Sequence, residues 1–353
     1  QAEVHGAQYV RTATLETSLL TAHATASRAS LSGNTAQARQ SRAALDEAAT
    51  QVVEAAAQPT GDEAALATIS HHLLRYTEAL ERAQLQRGSA QGRSALAAAD
   101  DLLREELLPA VQDLQRTHSA VSTSGVAWWM WLLPVLGWLT VAVIVGISWH
   151  TAQVSRRVIN PGLAIAAAAT IVLAISSGNL VAGHNSGTAG STAAQFGDVQ
   201  SRTTAQRNGV GAFALLANGV ATRSWSSQDA TDYSTALDEA GQLLEDTGAD
   251  TASTALTALR RANEQLATAA ADRDWDKADE LLQKSGATDP AGVANNFLDA
   301  SELCVQEALD GLREAVRSQG TQTVGFAALA AFCALISAAA GAWGIGQRLK
   351  EYR

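Results

Sequence analysis

Three long runs of the chain consist of apolar and small residues without a single charged side chain. They fall within residues 126–149, 161–182 and 323–346, and each run is at least 21 residues long. About 20 apolar residues in a helix cross the hydrocarbon core of a bilayer, whereas the apolar stretches of soluble helices are shorter. The pattern therefore predicts three transmembrane helices.

The segment before the first predicted span has the spacing of amphipathic helices. Apolar residues recur every three or four positions, as from Leu66 through Leu73 to Leu80. Glycine and proline interrupt this spacing near residues 33, 60 and 90. The breaks leave four helices, approximately 1–31, 34–57, 61–87 and 93–125. Because the connections between them are short, we predict an up-and-down four-helix bundle over residues 1–125.

The segment over residues 183–322 predicts a second helical bundle. Its helical spacing is broken near residues 225–229, 248, 272–274 and 285–292, and the last break has no counterpart in the first segment. The first helix of this bundle carries seven glycines between Gly183 and Gly219. Glycine in a helix interior costs conformational entropy, so this helix is expected to be the least regular.

Three short motifs recur in the same order in both segments, which indicates an ancient duplication. The pairs are ALDEA at 44–48 and 236–240, ALERA at 79–83 with ALRRA at 258–262, and ADDLL at 99–103 with ADELL at 278–282. The second unit is then a span, a helical bundle and a span. If the first unit has the same plan, we expect a further transmembrane helix before Gln1.

The composition agrees with an all-α fold. The chain is rich in alanine, and it has only five prolines and 5% aromatic residues. The formal net charge is −10. A nucleic-acid partner is therefore not expected, because neutralising phosphates requires a basic surface.

Basic residues dominate only two short segments, the loop over residues 150–160 and the tail over residues 347–353. These predicted cytoplasmic topology determinants are Arg156, Arg157, Arg348, Lys350 and Arg353. Since cytoplasmic loops of membrane proteins carry an excess of Lys and Arg, the loop and the tail are predicted to lie inside the cell. Both long segments are then extracytoplasmic, and the protein is a multi-pass protein of the plasma membrane.

No motif in the sequence indicates catalysis, a cofactor or a metal site. Phosphate-binding loops, nucleophile elbows and kinase motifs are missing. Asp272 and Asp274 resemble the start of a calcium loop, but Lys277 and Gln283 stand where that loop needs a glycine and a bidentate glutamate. The two aspartates are better explained as caps of a helix start. The chain is therefore predicted not to be an enzyme.

Histidine and cysteine residues also favour structural explanations. A helix points the adjacent His71 and His72 about 100° apart, so they cannot easily share a metal, and we expect a solvated pair. Cys304 lies in the predicted external segment and Cys333 lies in the last predicted span, so they are not expected to form a disulfide. Cys304 is expected to be a small buried residue.

Trp225 and Trp275 are the only tryptophans outside the predicted spans and their flanks. Both lie at helix breaks, and tracing the second bundle up and down places both breaks at its membrane-distal end. Because tryptophan is enriched at interface hot spots, the two residues are the candidate docking site for an external partner. The alternative is that they cap the core of their own bundle.

Tandem units of this plan resemble the actinobacterial GlnX-type membrane proteins. The resemblance includes the cytoplasmic junction over residues 156–163, which reads RRVINPGL. It implies a protein that relays the status of external glutamate and aspartate. The implied partners are a GlnH-like solute-binding lipoprotein outside and a PknG-like soluble serine/threonine kinase inside. The long segments also resemble the four-helix sensor modules of bacterial chemoreceptors, but an 11-residue cytoplasmic loop cannot hold the signal-relay domain of those receptors.

The sequence thus favours a non-enzymatic transmembrane signal transducer over two other classes of protein. The main alternative is a structural subunit that scaffolds a cell-envelope complex without switching. A transporter or channel is the weakest hypothesis, because the predicted spans contain no ionisable residue. Besides the lipid bilayer and the two proteins, a second copy of the chain is a further candidate partner.

The predicted orientation is testable by labelling intact cells with a membrane-impermeant maleimide. In a background without the native cysteines, Gly33→Cys and Gln228→Cys are expected to react, because both positions lie in segments predicted outside. Ser155→Cys is expected to react only after lysis. Labelling of Ser155→Cys in intact cells would overturn the orientation and the direction of signalling.

Overall fold

Helices make up almost all of the chain that the structure describes. The computed structural model describes residues 2–33, 35–58, 61–122, 189–284, 286–315 and 317, and none of these residues is in a strand. The N-terminal half, residues 2–122, contains α1 (Ala2–Ser32), α2 (Thr35–Ala56), α3 (Glu63–Leu85), α4 (Ala90–Asp101) and α5 (Leu108–Ser122). The C-terminal half contains α6 (Ala189–Thr222), α7 (Ser227–Asp246), α8 (Asp250–Ala271), α9 (Trp275–Gln283) and α10 (290–315). The prediction of an all-α fold is confirmed over these ranges.

The three predicted spans lie outside the described residues, and so do the five basic topology determinants, so both remain predictions. Within the described ranges, none of the helices combines the length and the apolar character that a membrane crossing needs.

The helix breaks fall where glycine and proline predict them. Gly33, Gly61, Gly88 and Gly248 lie in these breaks with φ between +63° and +82°. Residues with a Cβ atom rarely adopt this left-handed conformation, whereas glycine adopts it without steric cost and commonly follows the end of a helix. The sequence therefore locates the connections of both halves to within a few residues.

Two helices, α1 and α6, are buried on nearly every side. Eight successive residues of α1, Ala22–Ala29, are buried, as are ten successive residues of α6, Ala212–Ala221. The surrounding helices instead bury one face each, as α3 does with Leu66, Ile69, Leu73 and Tyr76. A helix that is buried all round has no polar face, and its sequence carries no strong helical periodicity.

The two central helices join the halves in a single core. Gly211 of α6 faces Leu20 of α1, and the rings of Tyr9 and Phe196 meet edge to face with centroids 5.3 Å apart. Residues 1–123 and 196–310 accordingly form one compact unit. The helical pattern of the sequence predicts two separate bundles, and this prediction is wrong for the described residues. In the structure they share one core, because the apolar surface of α1 and α6 exceeds what the helices of either half cover.

A second compact unit comprises residues 124–195 and 311–353. The described residues of this unit, 189–195, 311–315 and 317, are helical.

The repeated motifs occupy matching helices. The ALDEA copies lie in α2 and α7, ALERA and ALRRA in α3 and α8, and the alanine that opens ADDLL or ADELL in α4 and α9. In the third motif, equivalent positions have equivalent burial: Ala99 and Ala278 are both fully buried, and Leu103 and Leu282 are 2% and 0% exposed. This agreement supports the duplication inferred from the sequence.

The halves differ at a proline that follows the third motif. In the N-terminal half, Pro109 lies inside one continuous helical stretch, and a π-helical segment, Leu102–Leu107, precedes it. Proline lacks an N–H and its ring clashes with the carbonyl four residues earlier, and a widened turn accommodates both defects. In the C-terminal half, α9 ends at Gln283 and Pro290 is the first residue of α10, where proline is well tolerated. The break predicted at residues 285–292 thus corresponds to a proline that begins a new helix.

The glycine-rich helix α6 is regular, contrary to the expectation from its composition. Its glycines allow close approach of large rings. A Cβ atom at Gly209 would lie 2.3 Å from Cε1 of Phe297, which is fully buried. Packing of the Phe297 ring against α6 compensates for the conformational entropy that glycine loses in a helix.

A pair of glycine substitutions in α6 tests this explanation. Gly209→Ala is expected to lower the free energy of unfolding by about 1–3 kcal/mol, because the added methyl group would overlap the ring of the fully buried Phe297. Gly197→Ala, where nothing lies within 4 Å of the added methyl group, is expected to be neutral or to stabilise by up to about 1 kcal/mol. Thermal and denaturant unfolding of the purified full chain measure both effects. Equal effects of the two substitutions would contradict this explanation.

Candidate functional site

A network of polar side chains extends from the core of the N-terminal half to its surface. Nδ1 of His23 lies 3.1 Å from Oη of Tyr76, and Nε2 of His23 lies 3.2 Å from Oδ1 of Asp100. Nε of Arg104 donates to the same Asp100 oxygen at 2.9 Å. The exposed fraction of the side chains rises along this network, from 0% for Tyr76 to 40% for Arg104. This network therefore connects α3 and α1 with Asp100 of α4 and with the half-exposed Arg104 one turn later.

Burial and neighbouring charges shift the pKa values of Tyr76 and Asp100 in this network. Burial raises the pKa of Tyr76 well above its ordinary value, and the nearby Asp100 charge adds to that effect. Burial also acts to raise the pKa of Asp100, but hydrogen bonds and charge from His23 and Arg104 together outweigh it, so the pKa of Asp100 is lowered. Asp100 is therefore an ionised, partly buried carboxylate at neutral pH.

A second buried carboxylate, Glu16, joins the two halves. Its oxygens accept hydrogen bonds from Nε2 of Gln112 at 2.9 Å and from Nε2 of Gln115 at 3.1 Å. Nη1 of Arg207, on α6, lies 3.8 Å from Oε2 of the same carboxylate. Glu16 is only 2% exposed. Since a buried charge is strongly unfavourable without partners, this site fixes the register of α1, α5 and α6.

Tyr9 lies close to the same ion pair. Burial raises the pKa of Tyr9 to about 12, with Arg207 lowering it and Glu16 raising it by smaller amounts. The phenol is therefore neutral under all physiological conditions.

Two adjoining cavities lie between the N-terminal and the C-terminal half, one of about 240 Å³ and one of about 310 Å³. They share Asp100, Arg104 and Leu215 in their walls. We call them together the polar cleft. Its larger part is bounded by α4 on one side, and by α6 and the start of α7 on the other. The network of polar side chains ends in this cleft, at Asp100 and Arg104.

No sequence motif predicts a site role for Glu16, His23, Asp100 or Arg207. A signal for Glu16 was present, because it is the only acidic residue between Val4 and Leu45. A single carboxylate in a segment whose other charged side chains are all basic indicates a paired group. The cleft itself had no sequence signal, since its walls come from residues about 100 positions apart.

Trp225 and Trp275, the predicted docking residues, lie at the same end of the compact unit. Arg223 connects their loops, because its Nη2 is 3.8 Å from Oδ1 of Asp276 and 3.5 Å from Oδ2 of Asp279. Both indole rings are half-buried against the core. The ring of Trp225 covers Gly219, whose added Cβ would lie 2.6 Å from Cε3 of Trp225. Trp225 therefore has a packing role, and the docking role of the two residues remains a prediction.

The remaining sequence candidates have structural roles. Asp274 is the N-cap of α9 and accepts a hydrogen bond from the backbone N–H of Lys277 at 3.3 Å, as predicted. The same prediction for Asp272 is wrong, because Asp272 lies at the C-terminal end of α8. Cys304 is buried and free, also as predicted. His72 is not simply solvated, because its Nδ1 lies 2.7 Å from Oε2 of Glu106, which also pairs with Arg75. Among the residues the structure describes, no group of three or more His, Cys, Asp or Glu side chains could hold a metal ion.

Comparison with known families provides one match. Residues 2–126 match the family model described as an actinobacterial sensor domain. This range contains α1–α5 and is about a third of the chain. No curated protein and no solved structure matches the chain. The match supports an actinobacterial sensor protein with a sensing or signalling role.

The depressed pKa of Asp100 predicts a pH-dependent contribution to stability. Asp100→Asn is expected to lower the free energy of unfolding at pH 7 by about 1–3 kcal/mol, because hydrogen bonds to a charged, buried group are lost. As the pH falls through the ordinary range of aspartate, the unfolded chain protonates before the native protein does. The wild type then loses this stabilisation. The difference in the free energy of unfolding between wild type and Asp100→Asn should therefore become smaller as the pH falls from 5 to 3.

Unfolding of the purified full chain in urea at several pH values measures this difference. Asp113→Asn is the matched control, because Asp113 forms only an exposed pair with Arg116 on the same helix. Its effect should stay within about 0.5 kcal/mol. A difference for Asp100→Asn that is constant with pH would show that its charge is not the source of the stabilisation.

Proposed function

We propose that this protein is a non-enzymatic transmembrane signal transducer whose compact helical unit senses an extracytoplasmic signal. The match of residues 2–126 to an actinobacterial sensor domain is the observation that carries the proposal. The proposed location is the plasma membrane, with residues 1–125 and 183–322 outside. The loop over residues 150–160 and the tail over residues 347–353 would face the cytoplasm.

The helical architecture supports a route for the signal. The stretch from α4 through the π-helical segment to α5 is continuous from Ala90 to Ser122. The first predicted span begins only a few residues later. A change at the polar cleft therefore acts on an element that leads directly towards the predicted membrane segment. A π-helical turn offers an alternative hydrogen-bond register for such a change, and π-helical turns are frequent at functional sites.

The more specific part of the proposal follows the resemblance to the GlnX-type proteins. A GlnH-like solute-binding lipoprotein loaded with glutamate or aspartate would dock on the external unit and favour one of its packing arrangements. A PknG-like serine/threonine kinase would bind the cytoplasmic loop and tail, where Arg156, Arg157, Arg348, Lys350 and Arg353 provide positive charge. No cofactor and no nucleic acid takes part in this mechanism. The lipoprotein can shift the equilibrium between two conformations of the external unit only by the difference in its binding free energy for them.

One observation favours the alternative of a static scaffold. The two halves share a single core around α1 and α6, and such a core resists relative movement of its helices. In a scaffold, the same external partner would bind with or without its ligand.

Capture of the solute-binding lipoprotein by the detergent-extracted full chain separates the two functions. If the protein is a transducer, adding glutamate or aspartate is expected to change the affinity for the lipoprotein by tenfold or more. Trp275→Ala is expected to weaken the affinity by tenfold or more, since truncation of a hot-spot tryptophan costs about 2 kcal/mol or more. Trp225→Phe tests the second tryptophan while keeping an aromatic ring over Gly219.

Leu303→Ala is the control, because Leu303 is an apolar side chain that is 60% exposed on α10. It should leave the affinity unchanged. Ligand-independent capture would support the scaffold, and no capture in either condition would contradict the proposed partner. A large drop in melting temperature for Trp275→Ala would show instead that this tryptophan is structural.

A further inference from the structure

Two histidine–carboxylate pairs hold the same helical stretch, the one that runs from α4 through the π-helical segment to α5. Nε2 of His23, on α1, lies 3.2 Å from Oδ1 of Asp100, near the end of α4. Nδ1 of His72, on α3, lies 2.7 Å from Oε2 of Glu106, within the π-helical segment Leu102–Leu107. Both carboxylates therefore belong to the continuous stretch, and both histidines belong to helices that pack against it.

A third pair of the same kind lies further along the stretch. Nε2 of His118, on α5, is 3.0 Å from Oδ2 of Asp62, the residue before α3. By contrast, the sequence over residues 189–315 contains no histidine. The described histidine–carboxylate pairs thus all lie in the half that matches the sensor domain, on the element that leads towards the first predicted span. Histidine is the side chain whose charge ordinarily changes between about pH 5 and pH 8.

His72 is accessible to protons from the solvent, because its side chain is 20% exposed. Among the described residues, Glu106 supplies the only carboxylate within 4.0 Å of its ring, and Arg75 pairs with the same carboxylate. The ring of His71 lies 5.8 Å from that of His72 between centroids. Arg75 and His71 act against a positive charge on His72, whereas Glu106 is in direct contact and favours it. A proton on His72 therefore converts its hydrogen bond with the π-helical segment into an ion pair.

His23 makes contacts with two helices that respond to a proton in opposite ways. Because the ionised Asp100 can only accept, the single proton of the neutral ring belongs on Nε2, and Nδ1 then accepts from Oη of Tyr76 at 3.1 Å. A second proton, on Nδ1, ends the hydrogen bond from Tyr76 and places a cation beside Asp100. Charging of His23 thus exchanges a contact with α3 for a stronger contact with α4.

Other charged groups near His23 carry both signs. Four further charged side chains line the same cavity as His23: Glu16, Arg104, Arg207 and Asp232. Two of them are carboxylates and two are guanidinium groups, so they are balanced in number. Burial acts against a charge on His23, and the contact with Asp100 favours it.

We propose that the proton is a second input of this protein, and that proton uptake by His23 and His72 fixes the π-helical segment against α1 and α3 through Asp100 and Glu106. Each pair is strengthened when its histidine is charged, so the stabilisation is present at acidic pH and is lost as the pH rises through the range in which histidine becomes neutral. A π-helical turn offers an alternative hydrogen-bond register, and strengthening its contacts on both helices selects one arrangement. This inference goes beyond the amino-acid relay, and it relies on the proposed extracytoplasmic location because the acidity sensed is that of the exterior.

Amide hydrogen exchange of the detergent-purified full chain at about pH 8 and about pH 5 tests the proposal. The measured quantity is the protection of the amides in Leu102–Leu107, corrected for the intrinsic exchange rate at each pH. We expect tenfold or more protection at the acidic pH, because both pairs then hold the segment more tightly. Amides of α8 are the internal control. They lie in the half without histidine and should change by less than twofold.

Three variants and one matched control connect the response to the two pairs. His23→Gln and His72→Gln keep a side-chain N–H donor but cannot gain a charge, so each is expected to reduce the acid-dependent gain in protection to threefold or less. Glu106→Gln removes the anionic partner at a partly exposed position and should have the same effect. His71→Gln is the control, because His71 is an exposed neighbour of His72 without a carboxylate within 4.0 Å among the described residues. It should keep the full response.

The proposal is overturned if the wild-type segment has the same protection at both pH values, or if α8 gains as much protection as the segment. It is also overturned if His23→Gln, His72→Gln or Glu106→Gln responds like His71→Gln. Failure of the proposed function gives a different result. Acid-dependent protection without lipoprotein capture would contradict only the partner relay, and ligand-dependent capture without acid-dependent protection would contradict only the proton input.

Discussion

The burial of α1 and α6 on nearly every side is the constraint on which the rest of the structure depends. A helix in that position cannot place most of its polar side chains in water, so they depend on partners inside the protein. Hydroxyl groups of α1 satisfy this condition locally, as Thr12, Thr17 and Ser27 do by donating to carbonyls one turn earlier. Charged and aromatic polar groups cannot do so. Glu16 and His23 therefore draw partners from α3, α4, α5 and α6, and these contacts define both the register of the core and the position of the cleft.

The same constraint explains how much of the fold could be predicted from the sequence. The outer helices have one apolar face, and their number, order and ends followed from periodicity and from glycines such as Gly33, Gly88 and Gly248. The shared core could not be predicted in the same way, because helices buried all round lack the periodicity that reveals a buried face. The uncharged run over residues 212–221 was compatible with such a helix, but the glycines of α6 suggested irregularity. The structure explains two of these glycines, because the rings of Phe297 and Trp225 lie against Gly209 and Gly219.

The candidate site was less predictable than the fold. No local motif marks the cleft, because its walls come from several helices rather than from residues at a fixed spacing. His23 is an ordinary histidine in an alanine-rich helix until its contacts with Tyr76 and Asp100 are known. The sequence could indicate that the protein senses something, through its resemblance and its helical plan. What it senses depends on side chains that only folding brings together.

The proline that follows the third repeated motif has a mechanical consequence. In the N-terminal half, the helical stretch from Ala90 to Ser122 is continuous through the π-helical segment and Pro109, so no loop interrupts a displacement along the helix axis. In the C-terminal half, the equivalent path stops at Gln283, and a short loop absorbs the motion before Pro290 starts the next helix. The two halves therefore differ in stiffness along equivalent paths, because one path is a continuous helix and the other is interrupted by a loop.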